Sequence, residues 1–232
     1  MTETPDRSNG LPPLQHLYVY LSEGCNLACR HCWLSPPMDG KEVRGAFLPP
    51  SLLETAVREA LPLGLTSVKL TGGEPLLHPE FRQILDILKN AGVRLTVETN
   101  GVLMSEALAT AISGFPGRMV SVSIDGADAA THDAVRGVRG AFEGACRAVR
   151  LLSEAGTAPQ VIFSVMRVNA GQAEAAVRLA ERMGASSVKF NIVQPTARGE
   201  RLRETDETLS IGELLDLGRY VDGELAGATK MK

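Results

Sequence analysis

"VSVSID" at residues 120–125 alternates apolar and polar side chains, and its reading decides the fold. Successive side chains of an extended strand point to opposite faces. Val120, Val122 and Ile124 therefore share one face, while Ser121, Ser123 and Asp125 share the other. The same split recurs in both directions along the chain. Strands are predicted at 17–22, 67–71, 94–99, 119–124, 160–166 and 187–193. Their apolar faces run from Leu17, Val19 and Leu21 through Val68, Leu70, Leu95, Val97, Val161, Phe163 and Val165 to Val188, Phe190 and Ile192. Their polar faces carry Tyr18, Tyr20, Ser22, Lys69, Thr71, Thr96, Glu98, Asn100, Ser164, Lys189 and Asn191.

Helical segments lie between these strands. Ser51 with Glu54 reads as a capping box before 52–61, and Pro79 as the opening of a helix to about 90 that Gly92 stops. Ser105 precedes a helix at 106–112; further helices at 141–155 and 173–183 end at Gly156 and Gly184. Ser210 with Glu213 opens the last one. Six βα units in a row imply a parallel sheet with right-handed crossovers. A closed eight-stranded barrel is packed inside with branched apolar residues. A polar inner face instead suits an incomplete, splayed barrel around a polar cavity, so the expected fold is α/β, a partial (β/α)6 barrel. Residues 1–16 are read as an N-terminal extension and 17–232 as the core.

Length and composition narrow the function. A chain of 232 residues buries enough surface to need no disulfide staples. The net charge of -3 gives no reason to expect a nucleic-acid or anionic-membrane partner. No apolar run reaches membrane-spanning length, and residues 1–10 lack the hydrophobic region of a secretory signal, so a cytoplasmic location is expected. Cysteines are scarce and clustered, which disfavours a disulfide framework.

Three of the four cysteines, Cys25, Cys29 and Cys32, stand in a C-x3-C-x2-C spacing just past the first strand. Parallel α/β barrels place their active sites at that end. A lone zinc ion takes four ligands or three plus water, and His31 is poorly placed to turn inward with its flanking cysteines. An iron–sulfur cube normally takes four cysteines, so three leave one iron open to another ligand. Cys146, in a run of alanines, reads as a small core residue. After the second strand come Gly72, Gly73, Glu74 and Pro75. Glycines at a strand end let backbone approach a ligand, and a carboxylate can meet an ammonium group.

The three-cysteine motif after one strand and Gly-Gly-Glu-Pro after the next resemble the radical S-adenosylmethionine (SAM) superfamily, and the resemblance covers nearly the whole chain. It implies a [4Fe-4S] cluster on Cys25, Cys29 and Cys32, with the amino and carboxylate groups of SAM on the fourth iron. Reductive cleavage would give methionine and a 5′-deoxyadenosyl radical that abstracts hydrogen from substrate. The resemblance assigns Gly72, Gly73, Glu74 and Pro75 to the methionyl amino group, and Ser123 and Asp125 to the ribose and carboxylate. It gives Arg136 a carboxylate contact, against the alternative of a solvated loop charge, and makes Thr99 and Asn100 lining residues. Asn191 and Val193 would approach the adenosine. His31 stands where many relatives carry an aromatic residue against the adenine. Strict alternation puts Thr99 on the outer face, and Lys69, Glu98 and Lys189 read as ion pairs tiling the barrel wall.

The stretch from Ser123 to Phe142 resembles the branch that adds a cysteine-rich SPASM or twitch domain, and the chain is expected to be a fragment ending before one. Many members of that branch modify ribosomal peptides; others work on heme precursors or activate partner enzymes. The expected partners are a flavodoxin- or ferredoxin-like reductant and a peptide, or else a small molecule. The alternative of another class is a metal-binding scaffold without turnover. The connection 34–50 reads as a lid or substrate loop.

Overall fold

Among the described residues, 12–36 and 45–231 of the computed structural model, six parallel strands lie side by side in chain order. They are β1 (His16–Ser22), β2 (Ser67–Gly72), β3 (Arg94–Thr99), β4 (Met119–Ser123), β5 (Gln160–Val165) and β6 (Ser187–Ile192). The sheet is open, with β1 and β6 as its two edges. This is the expected partial barrel, and each strand lies within one or two residues of its predicted bounds.

The alternation does what the sequence implies. Leu21, Val68, Leu70, Leu95, Val97, Val120, Val122, Ile124 and Val161 are buried in one apolar cluster with the covering helices. Helix α2 (Phe81–Asn90) buries Phe81, Ile84, Leu85 and Leu88, an i, i+3, i+4, i+7 stripe. Each such side chain contributes about 2 kcal/mol by leaving water. Ile192 departs from the pattern: it shares the parity of Val188 and Phe190 but is exposed, because it ends the last strand, beside the open edge. On the other face Lys69 pairs with Glu98 at 2.6 Å, as expected of wall-tiling charges, whereas Lys189 is exposed on the edge strand.

Helix starts depart in part from expectation. Helix α1 (Pro50–Ala60) begins earlier than expected, with Pro50 at its first turn and no side-chain cap, so Ser51 and Glu54 form no capping box there. A proline there is preset to helical φ and has no N–H to satisfy. Ser105 caps α3 (Glu106–Ser113) as expected. Two helices went unread: α4 (Ala129–Arg136), capped by Asp128, and the short α7 (Glu200–Glu204). Between and beyond them run α5 (Ala141–Glu154), α6 (Ala173–Arg182) and α8 (Ile211–Tyr220), the last opened by the expected Ser210–Glu213 capping box. Residues 1–11 of the expected extension and 37–44 of the expected lid lie outside the described residues. The end of that connection lies along β1: Glu23 N–H donates to Ala46 O at 3.1 Å and Leu48 N–H to Leu21 O at 3.0 Å.

Candidate active site

The cysteine loop leaves β1 and is clamped from two sides. On one side Gly73 N–H donates to Ser22 O at 2.7 Å and Glu74 N–H to Gly24 O at 2.9 Å. A Cβ on Gly73 would stand 2.0 Å from Gly24 O, so only glycine lets the two segments come this close. On the other side the end of α4 receives the loop: Ala28 N–H donates to Arg136 O at 3.0 Å and Arg30 N–H to Val135 O at 2.9 Å. Gly137, at φ 74°, ends α4 and leaves room for Ala28 O, which a Cβ would meet at 2.6 Å.

Held this way, Cys25, Cys29 and Cys32 all line one cavity of about 510 Å3 at the C-terminal ends of the strands. Its wall also carries His31, Trp33, Gly72, Gly73, Glu74, Thr99, Asn100, Ser123, Arg136, Asn191 and Val193. The expected residues therefore converge, with two exceptions. Pro75 is buried at the start of a single 3-10 turn that follows Glu74, behind the wall. Asp125 is fully buried and does not reach the wall; it stands behind Arg136.

The geometry also redistributes roles. Both oxygens of Glu74 are engaged within the protein: Oε1 accepts from Thr99 Oγ1 at 2.6 Å and Leu76 N–H at 3.0 Å, and Oε2 accepts from Asn100 N–H at 2.8 Å. Burial raises its pKa, and these donors work against that rise. Glu74 thus ties the end of β2 to the end of β3. Thr99 lines the cavity, contrary to strict alternation, because β3 ends there and Gly101 turns the chain at φ 79°. Asn100 donates from Nδ2 to Asn26 Oδ1 at 2.8 Å and lies 3.9 Å from Cys25 Sγ. Ile162, Ile192, Gln194 and Thr196 also line the cavity and carried no signal in the sequence beyond their place near strand ends.

Arg136 is no solvated loop charge. It is buried at the last turn of α4, with Nη2 2.7 Å from Asp125 Oδ2 and Nη1 donating to Cys29 Sγ at 3.6 Å. His31 Nε2 lies 3.7 Å from the same carboxylate oxygen. Burial pushes the His31 pKa down to about 4, so its ring is neutral at pH 7. Trp33 is exposed at the rim, edge-on to Tyr20 at 5.9 Å.

His132, on α4, is a buried histidine that the sequence did not single out. Its Nδ1 accepts the Asp125 N–H at 3.1 Å. Burial first, then the charge of Arg136, push its pKa from 6.5 down to about 4. The unfolded chain takes up this proton near pH 6.5 and the folded chain only near 4, so stability is lost as the pH falls through that window. By pH 5 the expected loss is about 2 kcal/mol. Urea unfolding of the metal-free protein at pH 7.5 and 5 checks this: wild type should lose more than His132→Gln, and an equal loss contradicts it.

The donor set suits an iron–sulfur cube. Among the described residues all four cysteines are free thiols. No three His, Cys, Asp or Glu side chains among them converge as one metal ion requires, and Cys25, Cys29 and Cys32 line the same cavity. Burial pushes the Cys25 thiol up to about 12 and raises Cys29 as well, with Arg136 opposing the rise at Cys29. Loading such thiols releases their protons. Two buried nitrogens facing this region, His31 Nδ1 and Arg136 Nε, have no hydrogen-bond partner within the protein.

Comparison with known proteins agrees with this geometry. The AdoMet-dependent heme synthase of Nitratidesulfovibrio vulgaris is 31% identical over 206 residues, 88% of this chain and 54% of that one. The antilisterial bacteriocin subtilosin biosynthesis protein AlbA of Bacillus subtilis is 29% identical, covering 85% of this chain and 44% of its own. The chain thus spans about half the length of these curated relatives. Among solved structures, Streptococcus suis SuiB bound to S-adenosylmethionine superposes with a TM-score of 0.77 at 19% identity, covering 93% of this chain and 48% of that one. SuiB bound to its precursor peptide SuiA superposes at 0.75, with the same identity and 47% of that chain covered. Residues 19–180 match the radical SAM superfamily, and the chain belongs to that superfamily.

Proposed function

We propose that residues 17–232 form the core of a radical SAM enzyme that modifies a peptide. The observation that carries this reading is the placement of three free thiols on one cavity, beside a glycine-rich strand end and buried, unpartnered nitrogens. When bound, a [4Fe-4S] cluster and SAM supply reductive sulfonium cleavage and a 5′-deoxyadenosyl radical that takes a hydrogen atom from substrate. Cys25, Cys29 and Cys32 would hold the cluster. Gly72 and Gly73 keep the strand end close against the cysteine loop, with backbone exposed to the methionyl group. Arg136 Nε and Ser123 would receive the carboxylate and ribose; Asn191 and Val193 would border the nucleoside, with neutral His31 against its base. Asp125 acts through Arg136, and Glu74 through Thr99 and Asn100.

A peptide substrate is supported by SuiB, solved with a precursor peptide, and by AlbA, named for bacteriocin biosynthesis; the SPASM-like branch rests on the stretch from Ser123 to Phe142. The heme synthase supports a second reading, tailoring of a tetrapyrrole. A flavodoxin- or ferredoxin-type protein would supply the electron. No described helix is long and apolar enough to cross a membrane. Anaerobic protein given iron, sulfide, SAM and dithionite should release 5′-deoxyadenosine. An intact cluster that releases none contradicts an enzymatic role and leaves a scaffold.

A further inference from the structure

We infer that Arg136, aligned by Asp125, is a positioning residue for the cluster itself: its donation to Cys29 Sγ raises the cluster's reduction potential independently of SAM. This rests on the proposed function, which places the cluster on Cys29. The guanidinium has three directions. Nη2 is 2.7 Å from Asp125 Oδ2, Nη1 donates to Cys29 Sγ at 3.6 Å, and Nε is buried without a partner. Nε is left for a ligand such as a carboxylate, so a cosubstrate can be met on a nitrogen that does not contact the thiolate.

Asp125 is held by three hydrogen bonds, which leave its Oδ2 to meet Arg136 as an ion pair. Its Oδ1 accepts the Ser164 N–H at 2.7 Å, its backbone O accepts Asn169 Nδ2 at 2.9 Å, and its N–H donates to His132. The backbone of the same helix end also receives the cysteine loop, through Val135 O and Arg136 O. Side chain and main chain therefore grip the loop together, and the distance from guanidinium to thiolate is set by the fold.

The direction of the effect follows from charge. Reduction adds an electron to a cluster on three thiolates. A cation donating to one of those sulfurs favours the reduced form, and hydrogen bonds to ligand sulfurs raise cluster potentials. Burial limits screening of this interaction by solvent and salt. Arg136 thus lowers the demand placed on the external reductant before SAM arrives.

A potentiometric titration of the reconstituted, SAM-free protein, followed by visible absorbance and EPR, tests this. Arg136→Met removes donor and charge, and its midpoint should shift negative of wild type. Arg136→Lys keeps the charge, but one ammonium cannot span Asp125 and Cys29 as the fork does. Its midpoint should fall between the two. A SAM-free midpoint in Arg136→Met equal to that of wild type overturns the inference, even if SAM affinity drops. Should Arg136→Met fail to fold by circular dichroism, Arg136→Lys decides alone: a negative shift supports the inference and no shift overturns it. Wild-type protein that takes up no cluster overturns the proposed function together with the inference, a result distinct from an unchanged midpoint.

Discussion

Cys29→Ala is expected to abolish cluster binding. Cys29 lies midway in the loop, buried between Arg136 Nη1 and the cavity, and its carbonyl accepts the Cys32 N–H at 3.3 Å. Two thiolates cannot hold a cube that already lacks a fourth cysteine, and among the described residues no other cysteine lines the cavity. After anaerobic reconstitution the variant should retain less than a tenth of wild-type iron and lose its absorbance near about 400 nm. Cys146→Ala is the matched control. Cys146 is buried in α5 within the apolar cluster shared by the sheet, remote from the cavity wall, so its iron content should equal that of wild type. Iron retained in Cys29→Ala, or lost in Cys146→Ala, contradicts the assignment of ligands.

Gly73→Ala is expected to have the largest effect on stability. Its added methyl would meet Gly24 O at 2.0 Å, Gly24 C at 2.6 Å and Glu23 O at 2.9 Å, all of them backbone atoms. No side chain can rotate away to make room, so the strand end and the cysteine loop must separate. That breaks the bonds from Gly73 to Ser22 and from Glu74 to Gly24. The cost should be about 3 kcal/mol or more. Gly171→Ala is the control, since nothing lies within 4 Å of its Cβ position. Its effect should stay within about 0.5 kcal/mol. Urea unfolding of the metal-free proteins measures both. Equal midpoints in Gly73→Ala and wild type would contradict the close approach on which the site depends.

These two substitutions also show what the sequence could and could not disclose. The strand faces were legible because alternation depends on neighbouring residues only, and "VSVSID" places its valines in the core as read. The cysteine spacing was legible for the same reason. Gly73 was read as room for a ligand; the structure adds that its missing Cβ is room for Gly24, a contact between segments 49 residues apart in sequence. Glu74 was read as a partner for an ammonium group; the structure adds that its oxygens also accept from Leu76, Thr99 and Asn100. A carboxylate's partners depend on tertiary placement that a motif does not encode. Thr99 lines the cavity as the resemblance implies, against strict alternation, because the chain already turns at the end of β3. Helix α4 was missed although Asp128 and Gly137 bracket it, since eight residues hold barely two turns of periodicity. With that helix unread, the burial of Arg136 between Asp125 and Cys29 could not be foreseen.

The central claim is that three thiolates hold a four-iron cluster whose remaining iron is left for SAM. EPR of the dithionite-reduced, reconstituted protein, recorded with and without SAM, tests it most directly. The account predicts a reduced [4Fe-4S] signal at about four irons per chain that changes shape when SAM is added. A cluster signal that SAM leaves unaltered would contradict it.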